Sequence, residues 1–331
     1  MLTLRPIRLA AAAAAAVTLV ACSGTATEPA DGASASASGA SAGVVSVTDP
    51  HGTVEVPVPA QRIVTTDNRT VRILDAWGVE LVAAPLEIFP DDVSYQADDA
   101  VANLGNHNEP DLETLVAADP DLVLNGQRFA QFYDQISELV PDAALVDTDI
   151  DLETGALDEE LIRQVNLLGE ALGHEADAQQ LIDDFTQALE RAQAAYDPDE
   201  TVMGLITSGG DIGYVAPGLG RSIGPLFPTI GMTAALEQDG STDHEGDDVS
   251  VEAIAASNPD WIIVLDRDAA VGEDGFTSAT ELITESEALQ NVTAVKEGNV
   301  YVLPSDFYLA EDIINYTEIL NALADSWEAS S

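Results

Sequence analysis

The amino-acid sequence predicts an α/β protein of two similar lobes joined by one long helix. Two segments carry the same pattern and align without a gap, LETLVAADPDLVLNGQR at residues 112–128 and VEAIAASNPDWIIVLDR at residues 251–267. Between them, an apolar stripe of helical spacing is formed by Leu181, Phe185, Leu189, Ala192 and Tyr196. A repeated unit on either side of a single helix indicates two lobes, with a ligand site where the copies face each other.

Strand and helix patterns alternate along the first lobe. It opens with two alternating strands around the turn residues 49–52, which predict a hairpin. Further on, Asp111 is the predicted N-cap of a helix over residues 112–118, and a buried strand is predicted over residues 122–125. This alternation predicts a mainly parallel sheet.

The second lobe has the same alternation. A strand runs into a glycine-rich loop at residues 209–224, and the repeat copy at 251–267 supplies another helix and strand. A helix around residues 279–289, the strand NVYVLP at 299–304 and a C-terminal helix complete the lobe. The glycine-rich loop matches neither of the two common nucleotide-binding patterns.

The predicted boundaries divide the chain into five segments. They are a signal peptide at residues 1–21, a flexible tether at 22–44, an N-terminal lobe at 45–174, an interlobe helix at 175–197 and a C-terminal lobe at 198–331.

The chain is strongly acidic. It has 59 acidic residues against 11 basic ones and a formal net charge of −48. Such a surface repels phosphate backbones and anionic membranes, so nucleic-acid binding is excluded as a function. The acid excess is typical of a surface that stays soluble in saline surroundings, where added salt screens the repulsion.

The first 22 residues predict a lipoprotein leader. Arg5 and Arg8 precede an apolar run at residues 9–20 that is too short to span a bilayer, and the run ends in Leu-Val-Ala-Cys. Cys22 is the only cysteine, which excludes an internal disulfide and makes its thiol the predicted lipidation site. The alternative is an ordinary secretory signal cleaved elsewhere. We therefore expect an extracytoplasmic protein that meets the membrane only through a lipid at Cys22.

Catalytic and metal-site motifs are weak. The acidic stretch at residues 147–160 has the spacing of a calcium loop at Asp147, Asp149 and Asp151, but Leu152 stands where such a loop requires glycine, so a solvated loop is the default interpretation. The sequence contains no nucleophile elbow and no zinc-protease helix. We therefore expect a binding protein without a resident cofactor.

Three arginines point to an anion-binding site. Arg128 and Arg267 follow the strands of the two repeat copies, and Arg221 lies in the glycine-rich loop. Ligands of open α/β sheets bind beyond the carboxyl ends of the strands, and arginine offers fixed donors to anionic oxygens. The alternative is that each arginine pairs with a neighbouring carboxylate, such as Asp266 or Asp268.

These features together resemble the iron-siderophore substrate-binding lipoproteins of ABC importers. The similarity runs from about Val44 to Trp327 and rests on the leader, the long helix, the paired E-x-[LI]-x-A-x-x-P-D segments, the Y-x-x-P-G-L-G-R-S-I-G loop and the V-Y-V-L-P-S-D-F-Y-L ending. It is closest to the branch that binds catecholate-type ferric siderophores. The resemblance implies a class III periplasmic-binding-protein fold, with two Rossmann-like lobes and one rigid connecting helix.

The resemblance also implies roles for individual residues. Arg128, Arg221 and Arg267 match the arginines that contact the anionic ferric complex. His244 and Tyr308 match a histidine and a tyrosine that complete iron coordination when the siderophore leaves two positions open. The alternatives are a solvated loop histidine and a core aromatic beside Phe307.

The resemblance further implies partners. Glu113 and Glu252 match glutamates that dock each lobe to the ABC permease, which works with its ATPase; alternatively, they only complement the helix dipole in a first turn. A monomer is expected. The same scaffold could instead carry cobalamin, haem or a hydroxamate siderophore. Two departures from the family pattern are the Asn-Gly-Gln-Arg sequence that ends at Arg128 and the Glu245 that follows His244.

Overall fold

The structure is a computed structural model that describes residues 43–272 and 275–330. The predicted signal peptide at 1–21, the predicted lipidation site Cys22 and all but the last two residues of the predicted tether lie outside the described residues. Within the described part of the chain, every helix is too short or too polar to span a membrane.

The strands of the described residues fall in three sheets. They are β1 (Gly43–Asp49), β2 (Gly52–Val58), β3 (Ile63–Thr65), β4 (Leu81–Ala84), β5 (Ala102–Asn103), β6 (Leu122–Asn125), β7 (Ala144–Asp147), β8 (Thr201–Ser208), β9 (Asp211–Tyr214), β10 (Thr233–Ala234), β11 (Asp247–Asp248), β12 (Trp261–Asp266) and β13 (Val300–Val302).

The helices alternate with these strands. They are α1 (Val71–Ala76), α2 (Leu112–Ala117), α3 (Tyr133–Leu139), α4 (Leu157–Leu172), α5 (Glu175–Ala195), α6 (Leu226–Ile230), α7 (Val251–Ser257), α8 (Arg267–Val271), α9 (Ala279–Thr284), α10 (Thr293–Glu297), α11 (Phe307–Ala310) and α12 (Ile313–Ser330). Short 3₁₀ helices lie at Leu86–Ile88, Ser94–Ala97 and Gln127–Phe132.

The first lobe contains a five-stranded sheet of order β5-β4-β3-β6-β7 in which every pair is parallel. The hairpin β1–β2 forms a separate antiparallel sheet. It is attached to the lobe through Asp49, whose Oδ2 accepts a hydrogen bond from the Asp147 backbone N–H at 2.8 Å. The central strands β3 and β6 are entirely buried, which fits a sheet covered on both faces.

The second lobe contains a mixed sheet of order β11-β9-β8-β12-β13, with β10 also paired to β8. The β8–β12, β12–β13 and β10–β8 pairs are parallel, whereas β9 is antiparallel to both β8 and β11. Residues 211–214 of the predicted glycine-rich loop form strand β9, which pairs with β8, so the irregular part of the loop begins after Tyr214. The predicted α/β class and mainly parallel sheets are confirmed.

The Pro-Asp pair of each repeat copy has a structural role. Asp121 accepts hydrogen bonds from the backbone N–H groups of Gln61 and Arg62, at 2.8 and 2.9 Å, just before β3. Asp260 accepts from the backbone N–H of Thr201 at 2.8 Å, at the start of β8. Each aspartate therefore ties the strand of its copy to the neighbouring central strand, which explains why the sequence repeats it.

The long helix α5 packs against the C-terminal helix α12. Arg191 forms ion pairs with Asp325 and Glu328, at 2.5 and 2.7 Å, and the rings of Tyr196 and Trp327 lie 5.1 Å apart. Phe185 and Ala192 of the predicted stripe are buried, but Leu181 and Leu189 are only half-buried. The helix that links the two sheets along the chain is thus packed against a second long helix.

Two local predictions can be compared with the structure. Asp111 is the N-cap of α2, since its carboxylate accepts from the Thr114 backbone N–H at 2.9 Å. The helix predicted around residues 279–289 ends earlier, at Thr284. Val292 and Leu289 remain buried beyond that end, so their apolar character reflects core packing of a turn rather than helix continuation.

Candidate functional site

The candidate site lies at the carboxyl ends of the parallel strands. Arg128 follows β6, Arg267 begins α8 directly after β12, and Arg221 lies in the glycine-rich loop. Tyr308 belongs to α11, which follows β13. Residues after strands of both lobes therefore meet at one place, as expected for open α/β sheets.

The three arginines surround the ring of Tyr308. The guanidinium carbons of Arg221, Arg128 and Arg267 lie 4.6, 5.2 and 5.8 Å from the ring centroid. The Arg267 Nε also donates a hydrogen bond to the Tyr308 hydroxyl at 3.3 Å. Cation–π contacts of this length are favourable, and three on one ring bring like charges together.

The aspartates beside Arg267 do not pair with it. Asp266 accepts from the backbone N–H groups of Ala269 and Ala279, and Asp268 accepts from the backbone N–H of Gly209 at 3.0 Å. Both carboxylates are therefore used to hold the backbone. Instead, Arg267 donates to the Ser208 hydroxyl at 3.0 Å and lies 3.7 Å from the Glu245 carboxylate.

Arg128 has no carboxylate partner among the described residues. Its Nη2 lies 3.5 Å from the carbonyl oxygen of Tyr308, and its Nε is buried without a hydrogen-bond partner in the described part of the chain. Burial and the nearby charge of Arg221 lower the pKa of Arg128. Its guanidinium thus has donors available to a ligand.

Glu311 joins the two lobes at this site. The Glu311 side chain is 2% exposed, and its carboxylate accepts from Arg69 of the first lobe at 3.1 Å. From the second lobe it accepts from Arg221 at 3.3 Å and from the Ser222 hydroxyl. Burial alone would raise the pKa of Glu311, but Arg221 and Arg69 outweigh it and hold the pKa at about 2. Glu311 is therefore ionised at neutral pH.

Sequence reasoning did not single out Arg69 and Glu311. Arg69 lies four residues after β3, so the same strand-end rule that selects Arg128 also selects it. Glu311 gives no comparable signal, because it is one of 59 acidic residues.

Backbone strain is concentrated around the arginines. Gln127, Ser222 and Glu311 have φ angles of +43°, +67° and +49°, a region that residues with a side chain rarely adopt. Gln127 immediately precedes Arg128, and Ser222 immediately follows Arg221. Strained backbone persists where surrounding contacts fix it, and it is common at functional sites.

Asp67 is a second buried carboxylate, located after β3. It accepts from the Thr148 hydroxyl at 2.7 Å, the Gln164 amide at 3.3 Å and the Arg69 backbone N–H at 2.9 Å. Burial, together with the nearby charge of Asp149, raises the pKa of Asp67 to about 7.

The arginines also change the acidity of Tyr308. Burial would raise the pKa of its hydroxyl, but Arg221, the hydrogen bond from Arg267 and Arg128 together lower that pKa below its usual range. A phenolate is accordingly favoured more than at an isolated tyrosine. Anionic oxygen is the preferred ligand of hard cations such as ferric iron.

Two cavities adjoin the arginine cluster. The larger, of about 780 Å³, is lined by residues from both lobes that include Phe89, His107, Arg128, Arg267 and Tyr308. The second, of about 510 Å³, is lined among others by Arg69, Asp149 and Arg221. Both volumes are in the range of small-molecule sites.

The structure separates the predicted histidine from these cavities. The His244 side chain is 52% exposed and lies 3.8 and 3.9 Å from the carboxylates of Asp243 and Glu245. It lines neither cavity. Its link to the arginine cluster is indirect, through Glu245 beside Arg267.

The two predicted docking glutamates are both exposed. Glu113 lies in the first turn of α2 and Glu252 in the first turn of α7, behind the N-caps Asp111 and Ser250. Neither forms an ion pair within the described residues. The geometry is compatible with both alternatives, docking and helix stabilisation.

The acidic stretch at residues 147–160 uses its carboxylates locally. Asp151 accepts from the backbone N–H groups of Glu153 and Thr154, and Asp149 lies 3.4 Å from Arg69. In the ranges 43–272 and 275–330, no three His, Cys, Asp or Glu side chains are grouped so as to hold a metal ion.

Comparison with known proteins gives several relatives. Petrobactin-binding protein YclQ of Bacillus subtilis is 29% identical over 286 residues, which cover 85% of this chain and 86% of that protein. Ferric-anguibactin-binding protein FatB of Vibrio anguillarum is 25% identical over 264 residues, which cover 78% and 80%.

Solved structures share the fold. The crystal structure of YclQ has a TM-score of 0.74 at 23% identity and covers 86% of this chain and 99% of its own. The catecholate-siderophore binding protein VctP of Vibrio cholerae has a TM-score of 0.72 at 23% identity and covers 87% and 100%. The family model for periplasmic binding proteins, Peripla_BP_2, matches residues 63–307 of this chain. The protein therefore belongs to the Peripla_BP_2 family of periplasmic binding proteins.

Proposed function

We propose that the protein captures a ferric siderophore of catecholate or mixed type and delivers it to an ABC importer. The observation that carries this proposal is the convergence of Arg128, Arg221 and Arg267 on Tyr308 beside a cavity of about 780 Å³. Cations grouped in a chain of net charge −48 indicate a site selected for an anion.

The unpaired donors favour the same class of ligand. Arg128 Nε and Arg221 Nη2 are buried without hydrogen-bond partners in the described residues. Buried donors are normally satisfied, so a ligand with anionic oxygens would remove their cost. Ferric catecholates offer such oxygens. The names of YclQ, FatB and VctP support this ligand class for the protein.

Family membership implies an extracytoplasmic location. For this chain we add that lipid attached to Cys22 holds it at the membrane and that it works as a monomer. Glu113 and Glu252, exposed at matching positions of the two repeat copies, would present the loaded protein to the permease and its ATPase. Two contacts, one on each lobe, fit a partner that recognises both lobes together.

Calorimetric titration with a panel of ligands tests the proposal. The panel contains a ferric tris-catecholate, a ferric bis-catecholate, a ferric trihydroxamate, haem and cobalamin. We expect tight binding of at least one catecholate, and weak binding of cobalamin, which does not offer a cluster of anionic oxygens to the arginines. Tight binding of the hydroxamate, haem or cobalamin without binding of either catecholate would refute the catecholate assignment.

A further inference from the structure

The loop before β11 carries Glu245, one of the two departures of this chain from the family pattern. The Glu245 backbone N–H donates to the Asp243 carboxylate at 2.9 Å, and the Asp243 backbone N–H donates to the Ser241 hydroxyl at 3.1 Å. Ser241 is tied in turn to the Asp247 carboxylate, at the start of β11, by two hydrogen bonds of 2.8 Å. The backbone around Glu245 is therefore held by side chains on both sides of it.

A glycine of β9 lets this loop approach the sheet closely. A Cβ atom at Gly213 would lie 2.2 Å from the carbonyl oxygen of Glu245, so a residue with a side chain there would push the loop away. On the sheet side, the Glu245 carboxylate accepts from the Ser208 hydroxyl at 3.5 Å and lies 3.7 Å from Nη1 of Arg267. The loop thus places a negative charge beside one of the arginines that surround Tyr308.

Carboxylates offset most of the positive charge of the site. Arg128 is the one arginine there with no carboxylate partner among the described residues. The pairs are Arg69 with Asp149 and Glu311, Arg221 with Glu311, and Arg267 with Glu245. Four arginines and three carboxylates leave a net charge of +1 (4 − 3). A ligand with a single negative charge would balance it, whereas a trianion would leave an excess of negative charge.

The walls of the larger cavity do not restore the missing positive charge. Besides the arginines, they include the exposed acidic residues Glu87, Asp91 and Asp92 of the first lobe. The repulsion between these carboxylates and a ligand grows with the negative charge of the ligand. The cavity walls therefore favour a weakly charged ligand in the same way as the paired arginines do.

We propose that Glu245 is a specificity-determining residue, which offsets the charge of Arg267 and selects ferric siderophores of low negative charge over the trianionic tris-catecholates. Mixed catecholate–hydroxamate complexes belong to the favoured class. This inference rests on the proposed function. Glu311 also offsets arginine charge, but it is buried and joins the lobes. The Glu245 side chain is 56% exposed, so its charge can be removed with little effect on the unfolding free energy.

The test compares Glu245→Gln with the unchanged protein. Both are titrated with a series of hexadentate ferric complexes in which hydroxamates replace catecholates one at a time, from the trianionic tris-catecholate to the neutral trihydroxamate. Iron has no open position in any of them. The ratio of the two proteins' affinities for one ligand cancels differences in ligand shape. Because the Coulomb energy with one carboxylate is proportional to ligand charge, we expect the variant to bind the trianion at least about tenfold more tightly, the monoanion about twofold more tightly and the neutral complex equally.

Glu281→Gln is the control for charge alone. Glu281 is an exposed glutamate of the second lobe that lines neither cavity, so its replacement removes the same charge away from the site and should change each affinity by less than about twofold. Added sodium chloride should reduce the gain of Glu245→Gln, because screening weakens an effect of charge but not an effect of packing.

Four results would overturn the inference. They are unchanged affinities in Glu245→Gln, an equal gain for every ligand of the series, a loss for every ligand, and a gain that added salt does not reduce. An equal gain would mean that Arg267 is merely released to form hydrogen bonds, and a general loss would mean that Glu245 holds Arg267 in place. Failure of the proposed function looks different, because the unchanged protein would then bind none of the catecholate-containing complexes.

Discussion

Asp67 of the first lobe and Glu311 of the second are both fully buried, and the two carboxylates differ in charge. Asp67 of the first lobe accepts mostly from neutral groups, and burial raises its pKa to about 7. Glu311 of the second lobe is held between Arg69 and Arg221, which keep its pKa at about 2 despite burial. Burial is the same in both cases, so neighbouring charges decide: Asp149 adds to the effect of burial on Asp67, whereas Arg221 and Arg69 outweigh burial at Glu311.

The repeat arginines differ between the lobes in the same way. Arg267 has Ser208, the Tyr308 hydroxyl and Glu245 as partners, whereas the guanidinium of Arg128 has the Tyr308 carbonyl and ring as its partners among the described residues. One sequence pattern thus produces an anchored cation in the second lobe and an available one in the first. The charge of Arg267 is therefore partly neutralised by the protein, whereas the charge of Arg128 is not neutralised by a described carboxylate.

The largest effect is expected from removing the charge that links the lobes. Glu311→Gln leaves Arg69 and Arg221 without their shared carboxylate, and breaking a buried pair costs about 3–5 kcal/mol of unfolding free energy. Denaturant unfolding at pH 7, followed by circular dichroism, measures this loss. Because the folded pKa is depressed, the contribution is complete above the unfolded value of 4.5 and is lost as the pH falls toward 2.

A surface variant provides the matched control. Glu318 lies 3.6 Å from Arg72 but is 54% exposed, so Glu318→Gln should cost no more than about 1 kcal/mol. If Glu311→Gln were as mild as this control, Glu311 would not be the link between the lobes.

The second-largest effect concerns Asp67. Its contribution to the unfolding free energy falls as the pH rises, whereas that of Glu311 falls as the pH is lowered. A raised folded pKa means that the folded state binds the proton more tightly, so stability is lost as the pH rises from about 4 to about 7. Asp67→Asn removes the titrating group and with it this loss. As the pH rises from about 4 to about 7, the unfolding free energy of the variant should therefore increase relative to that of the unchanged protein, by on the order of a few kcal/mol. Unfolding free energies measured at pH 4.5, 6 and 8 test the expectation.

The difference between the two proteins is the informative quantity. Burial also raises the pKa of Asp312 to about 7, so part of the pH dependence remains in the variant. A difference that stays constant across the three pH values would show that Asp67 is ionised throughout.

The third-largest effect compares Arg128, which has no carboxylate partner among the described residues, with Arg267, which lies beside Glu245. Arg128→Gln removes donors that no protein carboxylate uses, which should weaken binding of a ferric tris-catecholate by about 1.5–3 kcal/mol. Arg267→Gln should cost less, since its charge is partly neutralised by Glu245 before the ligand arrives. Calorimetry gives both values.

Arg191→Gln is the control for this pair, because Arg191 pairs with Asp325 and Glu328 and lines neither cavity. Its affinity for the ligand should not change. Equal losses in the two site variants would mean that Glu245 moves away on binding.

The sequence predicted the strands that position the site better than the side-chain contacts within it. Alternating strands and helices and the gapless repeat are local patterns, so they predicted the α/β class and the strand ends that Arg128 and Arg267 follow. The partners of these arginines depend on contacts distant in sequence. Arg69 and Glu311 are separated by 242 positions, and no spacing rule connects them.

The histidine shows the same limit. His244 was selected by resemblance, but its side chain is exposed, in a loop where Ser241 Oγ and Asp243 Oδ1 accept from the backbone N–H groups of Asp243 and Glu245. His107 follows β5, a strand of only two residues, which is too short to give a periodic signal. Strand-end position therefore predicts a site residue only when the strand itself can be recognised.

The smallest effect on the isolated protein is expected at the exposed glutamates. Glu113→Gln and Glu252→Gln keep side-chain size and remove one charge from each lobe, so ligand affinity should stay within about twofold. If both lobes dock to a permease, each variant should slow uptake of the labelled ferric siderophore by cells, and the double variant should slow it more.

Glu281→Gln is the matched control, since Glu281 is also an exposed first-turn glutamate of a second-lobe helix with a serine N-cap. Uptake that falls equally in the control would assign the effect to helix ends, and uptake that falls in only one lobe's variant would replace two-point docking by a contact with that lobe alone.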